Sequence, residues 1–441
     1  MGIEYTPVSS IPKIVAASHA SFLSYRTQSL EFRKEQLRAL KRMITENLDE
    51  LVGAIKSDLG RSNDDESLSC ASDCDFFINN LESLTENTKG KGDRVDDDCH
   101  VRKSPLGVVL ILGAWNFPIS LVLQPLAGAI AAGNVCIVKP SEVSEACAIA
   151  VTRLITKYLD PNVVSVINGA VQETTVLLQE RFDHIFYTGS PDVGKVIMTA
   201  AAKNLTPVTL ELGGKCPAII TDNTNLVDAA RKIAVWKTIN CGQLCITVDY
   251  VLCPSHLQEK FIEIVKATWK HRFGEDARAS NVYPRIVSRR QFDRLEKLLE
   301  AIKKQNTVVA GGRTDASNLY IEPTIAANVS LDHEIMKSEI FGPILPIVTC
   351  DSLDNAIDII NKQEHPLSLY LFSNDKQQAE RVLRETRSGA VVVNDIGAHI
   401  SNHTLPFGGV GNSGMGNYHG KYSIETFSHQ RAVFARSQPR L

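Results

Sequence analysis

Leu30, Phe32, Leu37, Leu40, Met43, Ile44, Leu48, Leu51 and Ile55 recur at near-helical spacing among charged residues between Ser29 and Leu59, which predicts one long amphipathic helix. The pattern changes from Val108 onward. Short apolar runs, "VVLIL", "VCIVK", "VVSVI" and "HIFYTG", alternate with helical stretches, as in a parallel sheet buried on both faces. A second α/β series follows Pro207, with "PAIIT", "YVLC", "ILPIV", "LYLF" and "AVVVN" as its strands. Residues 107–138 form the one long uncharged run, yet they fail as a membrane span. Pro118 and Pro125 interrupt the run, Trp115-Asn116 is polar at its middle and Gly133-Asn134 signals a turn, so it reads as strand, loop, helix and strand. Two polar stretches stand apart: "NTKGKGDRVDDDCHVRK" at 87–103 and the glycine-rich "PFGGVGNSGMGNYHGKYS" near the end. They suit linkers, or arms that add to a partner's sheet.

Composition narrows the partners. In 441 residues, 47 basic against 50 acidic side chains leave a net charge of −3, with no footprint for nucleic acid or anionic lipid. A small molecule or a second copy of the chain is the expected partner. Ten cysteines lie without a CxxC pair, and "MGIEYTPVSSIPK" has no secretory character, so reduced thiols in a cytoplasmic compartment are expected. Gly2 with Thr6 matches the myristoylation pattern loosely, which we read as chance, and "RSQPRL" carries neither an apolar tail nor a prenylation cysteine.

The candidate chemistry lies where strands end. "GAWNFP" (Gly113 to Pro118) follows a strand, where open α/β sheets place ligands, although Asn116 alone is as readily a turn residue. "KPSE" (Lys139 to Glu142) pairs a lysine with a carboxylate, suited to ribose hydroxyls or to a helix cap. "YTGSPDVG" sets Gly189, Ser190 and Gly194 between strand and helix, where a backbone can approach a pyrophosphate; it is not GxGxxG, and alone it is weak. "LELGGK" puts Glu211 before two glycines. "TINCGQLCITVDY" holds Cys241 and Cys245, with Cys253 close behind. Their spacing and lack of a nearby histidine disfavour zinc, the compartment disfavours a disulfide, and burial as a core thiol remains the bland reading of each.

Taken in order, and followed by "EIFGP" (Glu339 to Pro343) and "PFGGVGNSGMG" (Pro406 to Gly416), these motifs resemble the aldehyde dehydrogenase superfamily, over about Phe32 to Phe434. "RKSPLGVVLILGAWNFP" and "GNSGMGNYHGKYSIETFSH" look most like its class-three, fatty aldehyde branch. The resemblance implies an α/β fold: a Rossmann-like parallel-sheet cofactor domain (1-80 and 104-208), a second α/β catalytic domain (209-395), and an oligomerisation arm with the C-terminal segment (81-103 and 396-441). It implies NAD-dependent, and also NADP-dependent, oxidation of medium- or long-chain aliphatic or aromatic aldehydes by a homodimer without a transmembrane segment or a metal.

Counted five residues from Asn240, the family's nucleophile is Cys245, its pKa lowered by its surroundings, and Cys241 and Cys253 become bystanders. Asn116 with the Cys245 backbone N–H would hold the oxyanion, and Glu211 would activate the deacylating water. Trp115, Lys139, Glu142, Gly189, Ser190, Gly194, Leu212, Glu339 and Phe341 would bind the cofactor. Leu244, Val248 and the acidic "SNDDESLS" after Arg61 depart from the family pattern, and the first and last bear on the substrate tunnel. A cysteine hydrolase would need a histidine base, which the motifs lack. An acylating enzyme that passes its thioester to coenzyme A would not need Glu211, and an inactive homologue would be expected to have lost one of these residues.

Overall fold

The computed structural model describes residues 2–93 and 97–436; Arg94 to Asp96 of the polar insertion and the last five residues of "RSQPRL" lie outside that range. Four helices come first, α1 (Ile11–Phe22), α2 (Leu30–Glu46), α3 (Leu48–Leu59) and α4 (Asp65–Thr85), then β1 (Thr88–Lys89) and β2 (Asp98–Pro105). A regular alternation follows: β3 (Val108–Leu112), α5 (Ser120–Ala132), β4 (Val135–Lys139), α6 (Glu145–Tyr158), β5 (Val164–Val166), α7 (Val171–Leu177), β6 (His184–Thr188), α8 (Pro191–Ala202) and β7 (Val208–Glu211). The second series is β8 (Pro217–Ile220), α9 (Leu226–Thr238), β9 (Tyr250–Cys253), α10 (Ser255–Phe273), α11 (Arg289–Lys304), β10 (Val308–Ala310), β11 (Thr314–Asp315), β12 (Tyr320–Ile321), β13 (Thr324–Ala326), β14 (Ile344–Thr349), α12 (Leu353–Asn361), β15 (Ser368–Phe372), α13 (Lys376–Glu385) and β16 (Ala390–Val393). The chain closes with β17 (Gly414–Met415), α14 (Lys421–Thr426) and β18 (Ser428–Ala435).

The expected long helix is two. Asn47 sits between α2 and α3 with its side-chain amide donating to the Met43 carbonyl at 2.8 Å, taking over a backbone acceptor and breaking the helix there. Pro125 does the opposite of what its type suggests and lies inside α5. No helix among the described residues is long and apolar enough to cross a membrane.

The first sheet runs β17-β7-β6-β3-β4-β5, parallel except for β17. From β3 the chain builds outward through β4 and β5, then returns to the other side of β3 as β6. That reversal opens a crevice outside the C-terminal ends of β3 and β6, where doubly wound sheets bind ligands. The second sheet runs β10-β13-β14-β9-β8-β15-β16, parallel except at β10. The inner strands β3, β4, β6, β8, β9 and β15 are buried at every position, with no alternation of exposed ones. A small third sheet, β1-β2-β18, pairs β18 with β2 over eight residues and is largely exposed.

Candidate active site

The two large sheets meet end to end. From Glu211, the last residue of β7, the chain crosses through Leu212 to Cys216 into β8, so C-terminal ends of the first sheet face N-terminal ends of the second. Contacts across the gap are close: a Cβ on Gly213 would lie 2.0 Å from Glu339 Oε2, and one on Gly214 3.2 Å from the Leu367 nitrogen. A side chain at 213 would push that carboxylate from its place.

The loop that carries Cys245 comes from the second sheet's side. After α9, Asn240, Cys241 and Gly242 adopt left-handed backbone in succession, with φ of 48°, 58° and 71°. A Cβ on Gly242 would stand 2.3 Å from the Gly342 carbonyl oxygen, so only glycine lets the loop pass. A turn closed by Thr247 N donating to Leu244 O at 3.0 Å then presents Cys245, which is partly exposed. Cys241 and Cys253 are buried; burial pushes each thiol up to about 12, and Cys241 Sγ points at the Pro284 carbonyl. Thus three cysteines of similar sequence standing divide by geometry into one accessible thiol and two core ones.

Asn116 reaches the same loop from the first sheet. Its Nδ2 donates to Gln243 O at 3.2 Å, and Asn240 Nδ2 donates to Asn116 O at 2.8 Å. The buried Asn116 amide is thereby fixed to the loop two residues before Cys245, and it keeps a second N–H for an oxyanion. Neither oxygen of the buried Glu211 carboxyl has a hydrogen-bond partner, and burial holds its pKa well above the usual carboxylate range. Glu339 is raised to about 8, first by burial and then by Asp249, against the opposing Gly214 N–H, Lys215 and Arg294.

The expectation of a lowered thiol pKa is corrected here. Burial first, then the Glu339 and Glu211 carboxylates, push Cys245 up. The chief reason is loss of water around the thiol, to which the two acids add, and the Cys245 and Ile246 N–H groups only partly oppose them. A proton acceptor is therefore needed to make the thiolate.

Of the residues expected to bind the cofactor, Lys139 and Glu142 pair at 3.2 Å beyond β4. Ser190 caps α8, its hydroxyl accepting from Val193 N, so the free N–H groups of that helix end point out beyond β6. Gly189 and Gly194 are cradle positions, since a Cβ on them would meet the Tyr187 hydroxyl at 2.1 Å and Leu212 Cδ2 at 2.9 Å. Trp115 and Phe341 meet edge to face with ring centroids 5.3 Å apart, next to Glu339, whose Oε1 is buried without a partner. A helix N-terminus, a lysine–carboxylate pair and orphaned acceptors at one crevice fit a dinucleotide: phosphates on the helix end, ribose hydroxyls on Glu142 and Glu339.

The structure adds positioning residues that motif reading passed over. Lys215 donates to Asp249 at 2.6 Å and to the Ile335 and Ser338 carbonyls, while Asp249 accepts from Ile340 N at 3.0 Å; together they pin the loop that carries Glu339. Arg294 holds the Ile340 carbonyl from α11. Arg61 pairs with the buried Glu66, contacts the Asn116 carbonyl at 3.4 Å and covers the Phe117 ring at 4.4 Å. Glu66 in turn accepts from Ile119 N and Ser120 N at the start of α5. One residue of the unusually acidic "SNDDESLS" is thus a buried clamp on the Asn116 loop. Lys215 stood inside a quoted motif; the lone signal for Glu66 was its distance of five residues from Arg61.

Comparison with known proteins agrees with this geometry. The model of the aldehyde dehydrogenase family matches residues 3–433. The rat protein named aldehyde dehydrogenase, dimeric NADP-preferring, is 47% identical over 436 residues, 98% of this chain and 95% of its own length. Rat aldehyde dehydrogenase family 3 member A2 is 48% identical over 417 residues, 93% of this chain and 85% of its own. Among solved structures, the substrate-bound state of Staphylococcus aureus AldH superposes with a TM-score of 0.94 at 39% identity, covering 98% of this chain and 95% of that one. With a family match over nearly its whole length and relatives close to half identical, the chain belongs to the aldehyde dehydrogenase family.

Proposed function

We propose that this chain oxidises aldehydes to carboxylic acids with NAD(P)+, through a thiohemiacetal and then a thioester on Cys245. The observation that carries the chemistry is one accessible thiol beside a fixed amide and two buried, under-partnered carboxyls. Cys245 adds to the aldehyde carbon, and the Asn116 amide with the Cys245 N–H steadies the oxyanion. NAD(P)+ held in the crevice supplies the hydride acceptor. The charges of Glu211 and Glu339 both bear on the thiol, and one of these carboxylates is assigned to take its proton. Glu211, with no partner to give up, is assigned the water that cleaves the thioester, because a carboxyl raised well above its ordinary range is a strong base once ionised. Glu339, beside Trp115 and Phe341, is assigned to the nicotinamide ribose.

Residues 1-80 and 104-208 form the nucleotide unit in this reading, 209-395 the catalytic unit, and 81-103 with 396-441 the arm. Phe117 beside Asn116, and Tyr418 in electrostatic range of Glu211 and Cys245, favour an apolar aldehyde, aliphatic of medium or long chain or aromatic. A homodimer is supported by the name of the dimeric rat relative and by the exposed third sheet, whose edge strand β18 is eight residues long. All ten cysteines are unpaired, as suits a reducing, cytoplasmic compartment. A screen of aliphatic chain lengths and aromatic aldehydes with NAD+ and NADP+, following nicotinamide reduction, tests the reading; no reduction with any aldehyde refutes it.

A further inference from the structure

Asp73 on α4 and two histidines from the end of the chain come together on the Tyr418 side of the active site. His403 Nε2 lies 2.7 Å and His419 Nε2 3.7 Å from the same Asp73 oxygen, Oδ1. Asp73 and His419 are buried, and His403 is about three-quarters so, its side chain 23% exposed. The three ligand atoms lie within 4.8 Å of one another. The imidazole rings are parallel within 2°, with centroids 5.1 Å apart, and Phe76 stacks on the outer face of His403 at 4.6 Å.

A hydrogen bond from His403 alone would account for a buried carboxylate. His419, which also has the Asn402 backbone beside it, brings a second imidazole to the same oxygen and keeps its Nδ1 buried without a partner. The segments bearing the histidines are also fixed: His403 O accepts from Lys421 N at 3.3 Å and His419 N donates to Ser423 Oγ at 2.9 Å. A Cβ on Gly420 would stand 1.9 Å from His403 O, so the two segments pack backbone to backbone.

We propose that Asp73, His403 and His419 form a site for a divalent transition-metal ion of the zinc type, two imidazole nitrogens and one carboxylate oxygen being its three protein ligands. Bonds of about 2.0–2.1 Å in tetrahedral array set ligand atoms about 3.3 Å apart. The 2.7 Å contact opens and the 3.7 Å contact closes by well under an ångström to reach that, the two imidazole nitrogens, within 4.8 Å of one another, draw together on the ion, and the partly exposed His403 side leaves a fourth position to water. The ion joins α4, in the helical N-terminal part, to the glycine-rich segment next to Tyr418. It is separate from the chemistry assigned to Cys245 and goes beyond it, since no step of aldehyde oxidation uses these residues.

The test is calorimetric titration of the chelator-treated, desalted protein with zinc chloride, in the native sequence and in Cys245→Ser. One site per chain, in the micromolar range or tighter, is expected in both. His403→Asn and Asp73→Asn are each expected to weaken it at least as much as loss of an outer-shell partner does, about 10-fold or more. His403→Asn changes a partly exposed loop side chain and decides the matter if Asp73→Asn does not fold. Cobalt(II) in the same site is expected to show ligand-field bands without intense sulfur charge transfer. Absence of a site, a site that survives His403→Asn, or a sulfur charge-transfer band lost with Cys245→Ser would each overturn the proposal.

Discussion

Replacing Glu211 with glutamine separates the two halves of the reaction. The change keeps the shape of a side chain whose oxygens have no hydrogen-bond partner, so the β7 backbone and its pairing with β17 are left as they are. If Glu211 serves only the deacylating water, the thioester still forms and then waits. A rapid-mixing experiment is expected to show a burst of about one reduced cofactor per site, followed by a steady rate lower by roughly 10²–10⁴, the worth of a positioned general base. By the usual factor of about 1.36 kcal/mol per decade, that is about 3–5 kcal/mol of barrier. Folding provides the control. A carboxyl whose folded pKa is raised costs stability as pH rises above its unfolded value, near 4.3, so at neutral pH the uncharged glutamine is expected to leave the unfolding temperature unchanged or raise it. Loss of the burst itself, in protein that melts normally, would refute the division of labour and make Glu211 the acceptor of the Cys245 proton. A steady rate that depends on coenzyme A would point instead to acyl transfer.

Cys245→Ser is expected to abolish oxidation while Cys241→Ser and Cys253→Ser keep most of it; equal loss in Cys241→Ser would contradict the assignment of the accessible thiol. Because a carboxyl must ionise before it accepts a proton, the raised Glu211 and Glu339 predict a kcat that climbs from neutral pH through about 8, and a profile falling over that range would count against both. With Glu142 at the ribose, kcat/KM is expected to favour NAD+ over NADP+, and Glu142→Gln to narrow the ratio several-fold; a native preference for NADP+, as in the name of the rat relative, would oppose that placement. Light scattering is expected to give twice the mass of one chain, and a concentration-independent single-chain mass would remove the role given to the third sheet.

Strands with continuous apolar runs, such as β3, β4, β8 and β15, were legible because burial on both faces leaves a local trace. The motifs that contain Cys245 and Glu211 were legible because a short run of residues resembling a family survives without knowledge of the fold. The break at Asn47 was hidden, since the helical period continues across it and only the side chain's bond to Met43 interrupts the backbone. The direction of the Cys245 shift was hidden for a different reason: it depends on two acids 34 residues before and 94 residues after it in the chain. The same holds for Lys215 with Asp249, and for Asp73 with His403, where 330 residues separate the partners. Very short strands such as β10 and β13 give too few positions for any period to show.

The pairing of β17 with β7 carries a consequence for synthesis. Gly414 sits opposite Glu211, and Leu212 N donates to Ser413 O, so the strand that carries Glu211 is flanked by residues made long after it. Domains fold largely as they leave the ribosome, N-terminal part first. Here the first sheet lacks its edge strand β17 until the whole second α/β series has been made, and Glu211 has its final surroundings only then. A chain cut short before the glycine-rich segment would keep Asn116, Glu211 and Cys245 and still lack the strand that lies against Glu211, which ties the surroundings of that carboxyl to a segment far from it in sequence.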